Sequence, residues 1–165
     1  MTAASPTLRF LLRHPAHFIA LGFGSGLAPF APGTFGTLVA IPIAALLRAY
    51  ASDVGFVAAI VLLFALGTWA ADVTGRDLDV PDHGGIVIDE IVAFLIVLYF
   101  VGGDPLRQAF AFLLFRIFDI AKPPPIRQVD AALKNGIGVM VDDLLAAAYT
   151  LFVFALVVRL VGNGQ

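Results

Sequence analysis

Cysteine is absent from the 165-residue chain, which excludes disulfides, thiolate metal sites and a cysteine nucleophile. Charge is scarce. Only 13% of residues are Asp, Glu, Lys or Arg, against 60% hydrophobic, and the mean hydropathy is +0.96. Soluble domains carry about a quarter charged residues, and a soluble fold of this size needs polar surface that this composition cannot supply. A net charge of -2 and the lack of any Lys/Arg-rich run exclude a basic surface for nucleic acid. No Gly-Lys-Ser/Thr follows the glycine-rich stretch near the start, so a nucleotide P-loop is excluded. His14, Pro15 and those glycines also interrupt the chain after Arg9 and Arg13, so no cleaved signal peptide is expected. There is no internal repeat, and the length suits one domain over residues 1–165.

What is present is long apolar sequence. Three runs, Val54 to Ala71, Ile86 to Val101 and Leu144 to Val161, are apolar enough to cross a bilayer, which takes about 20 residues. Two shorter runs, Thr34 to Leu47 with Pro42 and Gln108 to Ala121 with Arg116 and Asp119, either span or form re-entrant elements. The runs are unbroken rather than alternating, which predicts helices and not a β-barrel. The expected fold is all-α, a compact multi-helix integral membrane bundle with three to five spanning or re-entrant helices. Pro32-Gly33-Thr34 reads as a turn leading to a threonine N-cap, and Lys122-Pro123-Pro124-Pro125 as an abrupt helix stop.

If all five runs cross, ten of the twelve acids fall on one side or just inside the membrane there, and only Asp53 and Asp104 lie opposite. The same side holds Arg9, Arg13, Arg76, Arg116, Lys122, Arg127 and Lys134, so the positive-inside rule makes it cytoplasmic. Asp89, Glu90, Asp119, Asp142 and Asp143 adjoin or enter apolar runs, where a charge costs at least a few kcal/mol. A cluster of such acids needs something cationic to hold it.

Four stretches carry candidate chemistry. Asp82-His83-Gly84-Gly85 leads into Asp89-Glu90 at a helix start, where carboxylates meet the positive end of the dipole. Capping by Asp89 alone, and a surface role for His83, are the simpler alternatives. Arg116, Asp119 and Lys122 recur at a spacing of three and share a helix face, either as a phosphate-and-metal stripe or as an ion pair that orients helices. Arg127 and Asp130 follow. Gly136-Ile137-Gly138 leads into Asp142-Asp143, and two adjacent acids exceed what a cap needs. Gly22 to Pro29, with Pro32 to Thr37, offers backbone N–H groups to an anion or packs helices closely. Oxygen ligands without a Cys/His set favour Mg²⁺ over zinc, and Arg116, Lys122 and Arg127 would offset phosphoryl charge.

On these stretches, GFGSGLAP, PGTFGT, DHGGIVIDE, FRIFDIAKPPPIR with Asp130, and GIGVMVDD, in that order from Gly22 to Asp143, the chain resembles the phosphatidylglycerophosphatase A family of bacterial lipid phosphatases. The resemblance implies Mg²⁺-dependent removal of the terminal phosphate from phosphatidylglycerophosphate at the inner membrane, by a helical bundle embedded in membrane lipid. It carries over Asp89, Glu90, Asp119, Asp142 and Asp143 as catalytic and metal residues. Arg116, Lys122, Arg127, His83 and Thr34 become the substrate-binding candidates, with Asp82 and Asp130 behind them. Attack by an activated water is the first choice, and an aspartyl-phosphate intermediate is the alternative. Two rival classes fit less well. A CDP-alcohol phosphatidyltransferase needs a DG…AR…G…D…D order that is absent, and a cation transporter predicts acids near the middle of the bilayer rather than at helix ends.

Overall fold

A computed structural model describes residues 6–133 and 135–162; Lys134, one of the bases assigned to the acidic side, lies outside them. The described residues are helical, with no strand among them. Two short helices, α1 (Leu8–Leu11) and α2 (Pro15–Ala20), and a 3₁₀ segment (Gly22–Leu27) precede the long elements. These are α3 (Pro32–Tyr50), α4 (Asp53–Asp77), α5 (Ile88–Val101), α6 (Pro105–Ala121), the short α7 (Ile126–Ala132) and α8 (Gly136–Gly162).

Length and hydropathy make α3, α4 and α8 long and apolar enough to cross a membrane. That decides one open alternative and changes one expectation. The run with Pro42 forms a continuous 19-residue helix despite its interior proline. The run from Ile86 to Val101, read as a span, is instead a 14-residue helix. A helix of that length is about 21 Å long, short of a hydrocarbon core of about 30 Å. Eleven of its residues are buried, and it packs against α3, α4, α6 and α8. Its neighbours are protein side chains rather than lipid.

Cross-helix pairs fix the directions. Gly67 of α4 faces Ile88 and Met140, while Phe56 of α4 meets Tyr99, with ring centroids 5.2 Å apart, so α4 runs against α5. Phe115 of α6 meets Phe94 at 5.4 Å and Phe110 meets Phe154 at 6.0 Å, so α6 runs against α5 and α8. Gly33 sits at Glu90, and the Arg48 guanidinium donates to the Leu98 carbonyl, so α3 is parallel to α5. The starts of α3, α5 and α8 therefore share one end with the finishes of α4 and α6.

Small residues permit this packing. A Cβ on Gly36 would lie 2.7 Å from the Val87 side chain, and one on Gly26 would strike the Gly85 carbonyl. The N-terminal segment is pinned to α4 by buried His17. Its ring nitrogens face the Phe10 carbonyl at 2.9 Å and the Asp77 carboxylate at 2.8 Å. Outward faces are apolar: Phe35, Leu62, Leu113 and Phe152 are all exposed, as lipid-facing residues are.

Candidate active site

Asp89 and Glu90 occupy the first turn of α5. The unpaired N–H groups and the dipole of that turn favour negative charge. Asp143 approaches from the second turn of α8, which lies parallel. Ligand oxygens of Asp89, Glu90 and Asp143 all fall within 4.8 Å of one another. Asp89 Oδ1, Glu90 Oε2 and Asp143 Oδ2 are buried and meet no hydrogen-bond donor among the described residues. Buried carboxylate oxygens without partners are costly, and three carboxylates with oxygens this close offer ligands to a divalent cation. The donor set is all oxygen, which suits Mg²⁺.

Asp119 stands beside this trio. It adjoins the Asp143 side chain and receives Arg116 Nη1 at 2.5 Å. The same Arg116 nitrogen lies 3.5 Å from Glu90 Oε1 and 3.4 Å from Thr37 Oγ1. Arg116 thus ties α6 to α5 and α3, and its main partners are acids of the site. Its Nε is buried with no partner among the described residues.

Asp142 shares its turn with Asp143 but points elsewhere. Successive residues on a helix lie about 100° apart, and Asp142 accepts from Lys122 Nζ at 2.6 Å. Lys122 also pairs with Asp130 at 3.2 Å, so it links the end of α6, α7 and α8. Burial by itself would lower the Lys122 pKa, but hydrogen bonds and charges from Asp142 and Asp130 outweigh it and raise the pKa. Lys122 stays cationic. Its backbone is left-handed, with φ 41°, which closes α6 before the three prolines.

The remaining candidates lie further out. His83 Nδ1 accepts from Gly85 N at 3.0 Å, and the ring lines a cavity of about 420 Å³ with Pro32 and the Gly26–Pro29 segment. Arg127 is exposed on α7 and forms no ion pair among the described residues. Asp82 is exposed but close enough to act electrostatically on Asp142. Thr34 is not the N-cap expected of it. α3 begins two residues earlier, at Pro32, behind a left-handed Ala31, and Thr34 is its third residue. Proline is preorganised for the first helical position, so it displaces the cap that a threonine would have made. The hydroxyl that reaches the site is that of Thr37, one turn on. Gly33 is the other residue missed, since a Cβ there would collide with Glu90 Oε1. Both stand in the PGTFGT stretch, but neither carries a charge that would single it out.

The comparisons agree with this arrangement of motifs. The family model for phosphatidylglycerophosphatase A matches residues 18–158. The chain belongs to that family. A phosphatidylglycerophosphatase A of Haemophilus influenzae is 42% identical over 93% of this chain and 94% of its own length. One from Escherichia coli is 37% identical over 84% of this chain and 80% of its own. A Bacteroides thetaiotaomicron protein with the provisional name phosphatidylinositol-3-phosphatase is 40% identical, covering 87% and 94%. No solved structure matches the chain. Membership makes the chain a phosphatase, and its three long apolar helices make it a membrane protein.

Proposed function

We propose that this chain hydrolyses the terminal phosphate monoester of phosphatidylglycerophosphate, with Mg²⁺ held by Asp89, Glu90 and Asp143, at the cytoplasmic face of the bacterial inner membrane. The observation that carries the reading is the buried trio, with one oxygen on each carboxylate that meets no partner among the described residues. When bound there, the ion would polarise a phosphoryl oxygen and acidify a water.

The chain's own residues account for the rest. Arg116 holds Asp119 and Glu90 in place, so the ligand shell is positioned before substrate arrives. Lys122, kept cationic by Asp142 and Asp130, places positive charge on the residue beside Asp143, where it would help offset a phosphate. Exposed Arg127 and half-buried His83 stand outside the trio, where they would meet an anionic headgroup first. In the reaction a water oxygen bonds to phosphorus and the bond from phosphorus to the glycerol oxygen breaks. That oxygen takes up a proton to give phosphatidylglycerol. Because the acids gather at helix ends rather than along a path through the bundle, hydrolysis is favoured over ion conduction.

The reading is tested with purified protein in mixed micelles. Phosphate is expected from phosphatidylglycerophosphate with Mg²⁺, and EDTA should stop it. No release under any divalent cation would sink the reading. The Bacteroides relative makes phosphatidylinositol 3-phosphate the natural competitor. Faster release from that lipid would keep the chemistry and change the substrate.

A further inference from the structure

We infer that the groove between the 3₁₀ segment and the outer face of α3 seats one acyl chain of the lipid whose phosphate reaches the acids. The inference rests on the lipid-phosphatase reading above. Phe35, Leu38, Val39 and Pro42 line one wall of this groove of about 490 Å³, and Leu27 and Ala28 line the other. Leu27 and Ala28 also line the cavity that holds His83, Gly84 and Gly85. The two spaces therefore meet at a shared wall, one apolar and facing lipid, the other bounded by loops. Pro32 lies on the rim of the second, and the next residue, Gly33, abuts Glu90 and Arg116. The groove on the flank of a membrane-crossing helix and the cavity beside His83 are thus neighbours across Leu27 and Ala28, and the second has on its rim the residue before the glycine that abuts the trio.

The apolar part suits a hydrocarbon chain. From Phe35 to Pro42 the helix rises about 10 Å, comparable to several methylene groups. Phe35 and Leu38 are exposed on this face of a helix long enough to span the membrane. Pro42 has no N–H, which frees the carbonyl one turn back and removes one helix hydrogen bond at the groove wall. A second apolar crevice, between Phe100, Phe154 and Val158, is of similar size. It lies at the opposite end of the bundle, beside no acid of the site, and so serves as an internal control.

The groove contributes position rather than affinity. A chain leaving the bilayer for apolar side chains gains little, because lipid tails are as apolar as leucine. What it gains is a fixed headgroup, and a misplacement of about 1 Å can cost about a hundredfold in rate.

The test uses phosphatidylglycerophosphate bearing a diazirine midway along one chain, in phosphatidylcholine vesicles containing the full-length protein. The vesicles are irradiated in the cold, with and without excess unlabelled substrate, and labelled peptides are mapped by mass spectrometry. Label is expected on Leu27–Ala28 and Phe35–Pro42, displaced by unlabelled substrate, whereas any label at the Phe100–Phe154 crevice should persist when unlabelled substrate is added. Leu38→Trp, at an exposed position, should remove the competed label and lower phosphate release by about tenfold or more. Even, uncompeted labelling of all lipid-facing helices, or full activity in Leu38→Trp, would overturn the groove. Failure of the lipid-phosphatase reading looks different, because the unsubstituted protein would then release no phosphate from any lipid monoester.

Discussion

Asp89 and Asp142 are separated in role by the partners they keep. Asp89 belongs to the trio, whereas Asp142, which also keeps one oxygen without a partner among the described residues, is engaged through its other oxygen by Lys122 at 2.6 Å. Asp89→Asn should lower phosphate release at least about a hundredfold and weaken Mg²⁺ binding measured by calorimetry, with the fold retained. Asp142→Asn should also abolish activity but should leave more of the Mg²⁺ affinity, because its effect passes through Lys122. Full activity in both variants would displace the site. Gly33→Ala makes a different demand. A Cβ at that position meets the Glu90 carboxylate, the far end of a flexible side chain that can swing aside. Thermal unfolding should therefore barely change while activity drops about tenfold or more, as expected when a ligand group is displaced by about an ångström. Arg116 is the reverse case. Removing a buried cation that bridges two acids leaves charge uncompensated, so Arg116→Ala should lose about 3 kcal/mol of stability, read by thermal unfolding in detergent. Sequence disclosed the acids because charge in an apolar run is conspicuous. It could not disclose Gly33 or Thr37, whose importance comes from what α5 and α6 place against them.

At the scale of the elements, α5 shows where hydropathy stops being informative. A helix that is apolar all round is buried, but the same composition serves a membrane span and a protein core. Length is what separates them, and the 14 residues of α5 point to a core helix. Phe94 lies fully buried at its centre, against Phe112 and Phe115. Phe94→Ala should therefore cost about 3–5 kcal/mol, seen as a lowered unfolding temperature, whereas truncating exposed Leu113 or Phe152 should cost far less. The glycine, proline and acid motifs were legible because each marks a helix start or stop. The boundary at Pro32 was misplaced because two start signals, Pro32 and Thr34, compete within three residues, and the backbone uses the first.

For the whole molecule, the antiparallel arrangement puts ten acids at one end and leaves Asp53 and Asp104 at the other. This agrees with the sidedness read from the runs, although fewer helices have the length of a span than the five that reading took. The absence of cysteine makes the sidedness directly measurable. In intact cells, a membrane-impermeant maleimide should label Asp104→Cys at once and exposed Asp82→Cys only after permeabilisation. Labelling of both from outside would refute the assigned face.

The depth of α5 has a consequence for the cost of catalysis. Ile88 packs at Gly67, well before α4 ends at Asp77, which sets the first-turn acids of α5 below the end of that long helix. Lifting a diacyl lipid clear of the bilayer would forfeit about 0.8 kcal/mol for each methylene exposed, a sum that no ordinary active site recovers. For the proposed reaction, an acid cluster at one end of a membrane bundle removes that requirement. Substrate arrives and product departs by diffusion in the plane of one leaflet, and only inorganic phosphate has to enter the aqueous phase.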